Sequence, residues 1–294
     1  MQKIISSMKS IKNLLKSLTA VLLFSNLFAV LGKTEKIRPG VSCVILGNGP
    51  SLKDALPKSL HFLKGKKVHC FNDFVASSYF EKIQPSYYTL MDSVFWSKNV
   101  STRFKKMRSG YFETMKNKVD WDMTLFFPVR SKKENYFSSL PRHNSHIKII
   151  YVNTTELYSS DKTNFFFYRH NLAMPPMQNV LAASIFIALG FGFKRIYLLG
   201  ADHSWHESVS ISEKNVLYLK NSRFQDREEK DFAPFFVDPG ETTPYKMHNL
   251  FRDLSKMFLG YIELERYSRS IGAKIYNATE GSYIDAFTRV KLKG

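Results

Sequence analysis

Seven short apolar runs, separated by stretches of helical period, constrain the fold of this chain more than any other feature. They are Val41–Leu46, Val68–Phe71, Tyr87–Met91, Thr124–Phe127, Ile147–Val152, Arg195–Leu199 and Lys274–Tyr276, and most are rich in β-branched and aromatic residues. They hardly alternate with polar residues, which is the pattern of strands covered on both faces. The expected fold is therefore α/β and Rossmann-like: a mostly parallel sheet with helices on both faces. The clearest helices are Asn179–Leu189 and Pro244–Ser270. For the second, Thr243 is the expected N-cap and Pro244 the first helical residue. Its expected buried stripe is Met247, Leu250, Phe251, Leu254, Phe258 and Ile262, with Gly272 ending it.

Two segments fall outside this pattern. In residues 1–38, Ile4, Met8, Ile11, Leu15 and Leu18 share one helical face, while Lys3, Lys9, Lys12 and Lys16 occupy others. The apolar stretch Leu18–Leu31 is 14 residues long, short of the roughly 18–20 that a spanning helix needs. Val30-Leu31-Gly32 makes a poor cleavage site for a signal peptide. The segment reads as a basic amphipathic helix lying on an anionic membrane surface, or packed on the domain. Residues 39–294 then form a single α/β nucleotide-binding domain. Within it, about 204–243 lacks strong periodicity, carries the mixed charge run Asp226–Asp231, and is expected to be a lid insertion.

The charge balance narrows the partners. With 43 Lys+Arg against 25 Asp+Glu, the formal charge is +18, which predicts an anionic partner. Clusters such as Arg103-Lys105-Lys106-Arg108 and Arg130-Lys132-Lys133 read as solvated faces, and no zinc finger or RNP-like pattern accompanies them, so nucleic acid is not expected. Cys43 and Cys70, both within apolar runs, form no disulfide framework. They fit a reducing compartment, so a cytoplasmic location is expected, peripheral to the inner face of the cytoplasmic membrane.

The chemistry gathers where the apolar runs end. Val44-Ile45-Leu46-Gly47-Asn48-Gly49-Pro50-Ser51-Leu52 is a strand entering a Gly-rich turn and then a helix. Gly47 and Gly49 would permit close backbone approach, Ser51 would cap the helix whose free N–H groups favour a phosphate, and Asn48 adds a side-chain amide. The sequence is neither G-x-G-x-x-G nor a P-loop, so NAD and P-loop ATP chemistry lose support. Asn72, Asp92, Asp202 with His203, and Asn277 likewise follow apolar strands. In a parallel sheet these ends line the ligand crevice. The alternative for each is ordinary turn chemistry. Asp202, His203, His206 and Glu207 match no standard metal spacing, and no metal site is expected. Asp120-Trp121-Asp122 precedes a strand, at the wrong end of the sheet for a ligand. His248, near the start of the Pro244 helix, is a candidate general base or a half-buried structural histidine.

Gly47-Asn48-Gly49-Pro50-Ser51-Leu52, the Asn72 strand end, Ala188-Leu189-Gly190, Ile196-Tyr197-Leu198-Leu199-Gly200-Ala201-Asp202 and the late His248 occur in an order that resembles bacterial family-42 sialyltransferases. It also resembles the wider group of 6-hydroxymethylpterin pyrophosphokinase MptE-like proteins. The resemblance covers about residues 41–290 and is thin from Trp96 to Pro176. It implies a metal-independent, inverting glycosyltransferase using a CMP-sialic-acid-like donor to build cell-surface glycan. Asn48, Ser51 and Asn72 would contact the nucleotide, and His248 would be the general base. The family's Ser-Gly before the long helix is replaced here by Gln178-Asn179, its third-strand Asn by Asp92, and its paired tyrosines after the Gly-x-Asp strand by His203-Ser204-Trp205. The expected partners are a nucleotide sugar and a glycan or lipid-linked acceptor, with no cofactor. The alternative is a pyrophosphoryl transferase of the MptE-like type, in which Asp92 and Asp202 would hold Mg²⁺.

Overall fold

The computed structural model describes residues 2–27, 37–220, 233–235 and 243–292. The run Asp226–Asp231, the rest of 221–232, 236–242 and the Val30-Leu31-Gly32 tripeptide lie outside the described residues.

Eight parallel strands form one sheet: β1 (Cys43–Leu46), β2 (Lys67–Phe71), β3 (Tyr87–Thr89), β4 (Met123–Pro128), β5 (Ile147–Val152), β6 (Arg195–Leu199), β10 (Lys274–Asn277) and β11 (Thr288–Arg289). Between β6 and β10 lie three short strands, β7 (Val209–Ile211), β8 (Leu217–Leu219) and β9 (Ala233–Pro234), which make a separate antiparallel sheet. The segment expected to be an irregular lid thus carries strands of its own. They were illegible because each is only two or three residues long.

The spatial order of the main sheet is β11-β10-β6-β1-β2-β3-β4-β5. All seven expected strands are present, and the unexpected β11 is a two-residue edge strand. The chain runs outward from β1 to β5, then returns to place β6 on the other side of β1. That reversal puts a topological switch between β1 and β6, where ligands of open α/β sheets bind.

Strand β1 explains the layering. All four of its residues are fully buried. Cys43 and Ile45 join the core beneath α1 (Gln2–Phe24), α7 (Asp161–Arg169), α8 (Val180–Gly190) and α9 (Met247–Ser270), while Val44 and Leu46 join the opposite core. That second core lies beneath α2 (Leu52–Leu63), α5 (Thr102–Lys118) and α6 (Leu140–His143), with the one-turn helices α3 (Phe80–Ile83) and α4 (Ser93–Trp96) beside it. Successive side chains of a strand point to opposite faces, so a two-sided core demands an unbroken apolar run. Burial pushes the thiols of both Cys43 and Cys70 well above the ordinary range, which leaves them protonated and inert.

Two helix details differ from expectation. Helix α9 begins at Met247 with Lys246 preceding it and no side-chain cap, rather than at Pro244 behind Thr243. Its buried face runs through Leu250, Met257, Gly260, Tyr261, Leu264 and Tyr267, whereas Phe251 and Ile262 are exposed. The buried face includes polar groups that a hydrophobicity pattern underweights. Glu263, for example, accepts hydrogen bonds from Tyr168 Oη (2.6 Å) and Asn164 Nδ2 (3.1 Å).

Helix α1 packs its C-terminal half against the domain through small side chains, Ser17, Ala20 and Val21. Two polar contacts fasten its end. Ser25 Oγ bonds Thr155 Oγ1 (2.7 Å) and Leu172 O (2.6 Å), and Asn26 exchanges backbone bonds with the Asn153 carboxamide. No helix among the described residues is long and apolar enough to cross a membrane.

Candidate functional site

A cleft of about 620 Å³ opens at the carboxyl ends of β1 to β6, at the switch between β1 and β6. Each of those six strands supplies part of its wall. Gly47–Pro50 follow β1, Asn72 follows β2, Asp92 follows β3, Arg130 follows β4, Thr154 and Glu156 follow β5, and Gly200–Trp205 follow β6. The start of α8, with Gln178 and Asn179, closes one side.

Nine of the expected site residues line this cleft together: Gly47, Asn48, Gly49, Asn72, Asp92, Gln178, Asn179, Asp202 and His203. Ser51, Asn277 and His248 do not line it.

The Gly-rich loop has a different rationale from the expected one. Its backbone approaches the β6 loop rather than leaving room for a ligand. Gly47 N donates to Leu199 O (2.7 Å) and Gly49 N to Gly200 O (3.0 Å). A Cβ on Gly47 would lie 2.1 Å from Gly200 O, and one on Gly49 would lie 1.9 Å from Asp202 Oδ2. Ser51 is not the helix cap either. Its backbone is already helical, and it makes no side-chain cap bond. Instead its N–H and hydroxyl both donate to Asp202, at 3.0 and 2.9 Å. The carboxylate of Asp202 therefore occupies the anion position at the start of α2 that a phosphate was expected to take. Burial raises the Asp202 pKa, opposed by the two bonds from Ser51.

Asn48 and Asn72 are arranged differently. Asn48 Nδ2 donates to Phe71 O (3.1 Å), while its Oδ1 is buried without a protein partner. Asn72 Oδ1 is likewise buried and unpartnered, and Asn72 has a left-handed backbone at φ +49°. Asparagine tolerates that conformation better than most residues. Two orphaned carboxamide oxygens on neighbouring strands of one cleft wall are costly unless something donates to them.

On the other side of the switch, His203 also adopts a left-handed backbone, φ +59°. Its Nε2 lies 2.6 Å from Tyr261 Oη, and Asn179 Nδ2 donates to the same hydroxyl at 2.9 Å. Asn179 Oδ1 caps α8 by accepting from Ala182 N. Burial pushes the His203 pKa down to about 3, against a bond to the Ala201 backbone. A neutral ring that donates to a carbonyl on one nitrogen must accept on the other, so the Tyr261 hydroxyl donates to Nε2. Both ring nitrogens are therefore spent on partners within the protein.

The remaining expectations resolve simply. Asp92 is exposed on the cleft rim, where its Oδ1 caps α4 by accepting from Val94 N at 3.1 Å. Asn277 is buried and organises the β10 turn through Ser282, Ile284 and Thr279 rather than facing the cleft. His248 is exposed near the start of α9; the helix begins three residues later than expected, so its first turn is set differently. Asp202 gives both oxygens to Ser51, which fits poorly with the Mg²⁺-holding role expected of it under pyrophosphoryl transfer. Among the described residues no group of three or more His, Cys, Asp or Glu is placed to hold a metal.

Sequence reasoning missed Arg130, Thr154, Glu156, Trp205 and Lys220 in the cleft. Arg130 is exposed, as its basic cluster predicts, and it also lines the cleft, with its guanidinium 5.6 Å from the Trp96 ring. The strand-end rule that found Asn72 and Asp92 would have flagged Arg130 and Thr154, since both follow recognised strands. From the other basic cluster, Arg108 is buried and lies over the Tyr136 ring at 4.6 Å.

No protein-family profile matches the chain, and no curated protein matches it in sequence. Among solved structures it is similar to the MAf glycosyltransferase from Magnetospirillum magneticum AMB-1, at 15% identity and a TM-score of 0.45. The match covers 91% of this chain and 35% of that one, so the chain spans about a third of the structure it matches.

Proposed function

We propose that the protein is a glycosyltransferase that takes its sugar from a nucleotide, with a CMP-sugar the favoured donor. The observation that carries this reading is the pair of buried, unpartnered oxygens, Asn48 Oδ1 and Asn72 Oδ1, at the switch-point cleft. They call for ligand N–H or O–H donors, and the amino group of a cytosine and the hydroxyls of a ribose are such donors. The phosphate goes across the cleft, because Asp202 fills the start of α2. The start of α8 and the Arg130 guanidinium supply the positive potential there. The sequence resemblance supplies the sialic-acid-like sugar, the inverting course and the surface-glycan product.

An inverting transfer needs a base to take the acceptor proton. The resemblance assigns it to His248, and position in the cleft favours Asp92. Replacing each in turn, His248→Asn and Asp92→Asn, and comparing kcat decides between them.

Thermal unfolding with CMP, CDP, UDP, GDP or ATP, each with and without Mg²⁺, tests the reading. A ligand at 100 times its Kd adds about 2.7 kcal/mol of stability. A metal-independent shift with CMP, diminished in Asn48→Ala, is expected. A shift only with ATP and Mg²⁺ would replace the reading with pyrophosphoryl transfer.

A further inference from the structure

Helix α1 is built inside out. It turns small side chains, Ser17, Ala20 and Val21, to the domain and leaves Leu14, Leu15, Leu18, Leu22, Leu23 and Phe24 exposed. The last three are 67%, 69% and 72% exposed. An ordinary surface helix buries its largest apolar residues and shows polar ones to water. A contiguous exposed patch of this kind on a folded chain marks a binding surface. Nor is α1 alone. Other exposed large apolar side chains on this side are Phe166 of α7 and Phe251, Leu259 and Ile262 of α9, the helices that cover the same face of the sheet. Around the opposite core only Tyr136 is so exposed among the described residues.

We propose that the outward face of α1 docks on an anionic lipid bilayer. Charge decides the occupant. Lys12 and Lys16 are exposed beside the leucines, as on interfacial helices whose basic residues meet headgroups while apolar ones enter the acyl boundary. A second copy of the chain would bring these lysines together, on a protein already at +18, whereas anionic headgroups neutralise them.

The dock is wired to the cleft. In the segment after β5, Asn153 and Thr155 hold the end of α1, and the alternate residues Thr154 and Glu156 line the cleft. Seating α1 on a membrane therefore holds that cleft wall near the bilayer. Combined with the glycosyl-transfer reading, on which this clause rests, it assigns the acceptor to a lipid-linked molecule in that bilayer.

The test is co-sedimentation of the full chain with vesicles of phosphatidylcholine alone and of phosphatidylcholine with phosphatidylglycerol. Pelleting only with the anionic vesicles is expected, weakening as salt rises. Leu22→Asn with Leu23→Asn should reduce partitioning at least tenfold without lowering Tm, because both side chains are exposed. Lys12→Glu with Lys16→Glu should abolish the lipid-charge preference. A wild type that stays in the supernatant with both vesicles overturns the proposal, as does equal binding by the leucine variant. So does a dimer in sedimentation equilibrium that the leucine variant dissolves, which would make a second copy the occupant. Vesicle binding needs no nucleotide, so its failure and a failure of the CMP shift are read separately.

Discussion

Ser51 donates both its backbone N–H and its hydroxyl to the carboxylate of Asp202, a residue 151 positions away. This clasp joins the loops after β1 and β6 across the switch point and makes the cleft floor one piece. Asp202→Ala removes both acceptors and leaves the Ser51 N–H and hydroxyl without them. It should cost about 1–3 kcal/mol, as for a buried polar group deprived of its bond, and Tm reads it directly. Ser51→Ala should cost less, since the backbone bond survives.

Gly47→Ala is the sharper steric test. Its Cβ would meet the Gly200 carbonyl, a backbone atom, at 2.1 Å. Overpacking of this kind costs about 1–3 kcal/mol, and nucleotide binding should fall with stability because the floor itself moves. Gly49→Ala meets the Asp202 side chain at 1.9 Å and the Gly200 carbonyl at 2.8 Å, so it should break the clasp and lower Tm at least as much as loss of that carboxylate does.

For Asn72 the expected result is a dissociation of stability from binding. Its left-handed backbone and unpartnered oxygen both burden the empty protein. Asn72→Gly relieves both, so Tm should hold or rise, while CMP affinity falls about fivefold to tenfold, the worth of roughly one hydrogen bond. Parallel thermal unfolding and calorimetric titration check the two halves.

The pH dependence of stability follows from two buried histidines. Burial pushes both His69 and His203 down to about 3. The unfolded chain titrates them near 6.5, so between these values it binds up to two more protons than the folded state. Stability is then fully present above pH 6.5 and is lost as pH falls, by up to about 2.7 kcal/mol per pH unit for two histidines. The raised pKa values of Asp202 and Glu263 act in the opposite sense, favouring the folded protein toward acid. His69→Leu should halve the slope near pH 5.5, measured by denaturant unfolding across pH 4.5–8. His69 Nε2 bonds only Thr89 Oγ1, and Nδ1 has no partner, so the substitution should leave the cleft intact.

The layering was legible because it is a local property: an apolar run such as Cys43–Leu46 can face two cores only if every residue is apolar. The strand-end rule likewise brought seven residues to one cleft, Gly47, Asn48, Gly49, Asn72, Asp92, Asp202 and His203, while Gln178 and Asn179 came from the family resemblance. The roles were less legible than the places. Ser51 looks like a cap from its neighbours alone, and its true partner is Asp202, which no spacing pattern reveals. Asp92, by contrast, does what its turn chemistry predicts, since an Asx cap needs only the next two residues. The basic cluster predicts the exposure of Arg130, and only the strand before it places it on the cleft. The face of α9 was placed in part: Leu250 is buried, Leu254 and Phe258 pack against the core, Phe251 and Ile262 do not, and Glu263 is buried through its bonds to Asn164 and Tyr168 of α7.

The alternation at Asn153–Glu156 carries a thermodynamic obligation. If seating α1 changes the position of that segment, and with it the affinity of the cleft for its ligand, linkage requires the ligand to change the affinity of α1 for its surface by the same factor. Occupancy of the pocket would then be readable as a change in partition coefficient, and four consecutive residues would be the coupling element between the two equilibria.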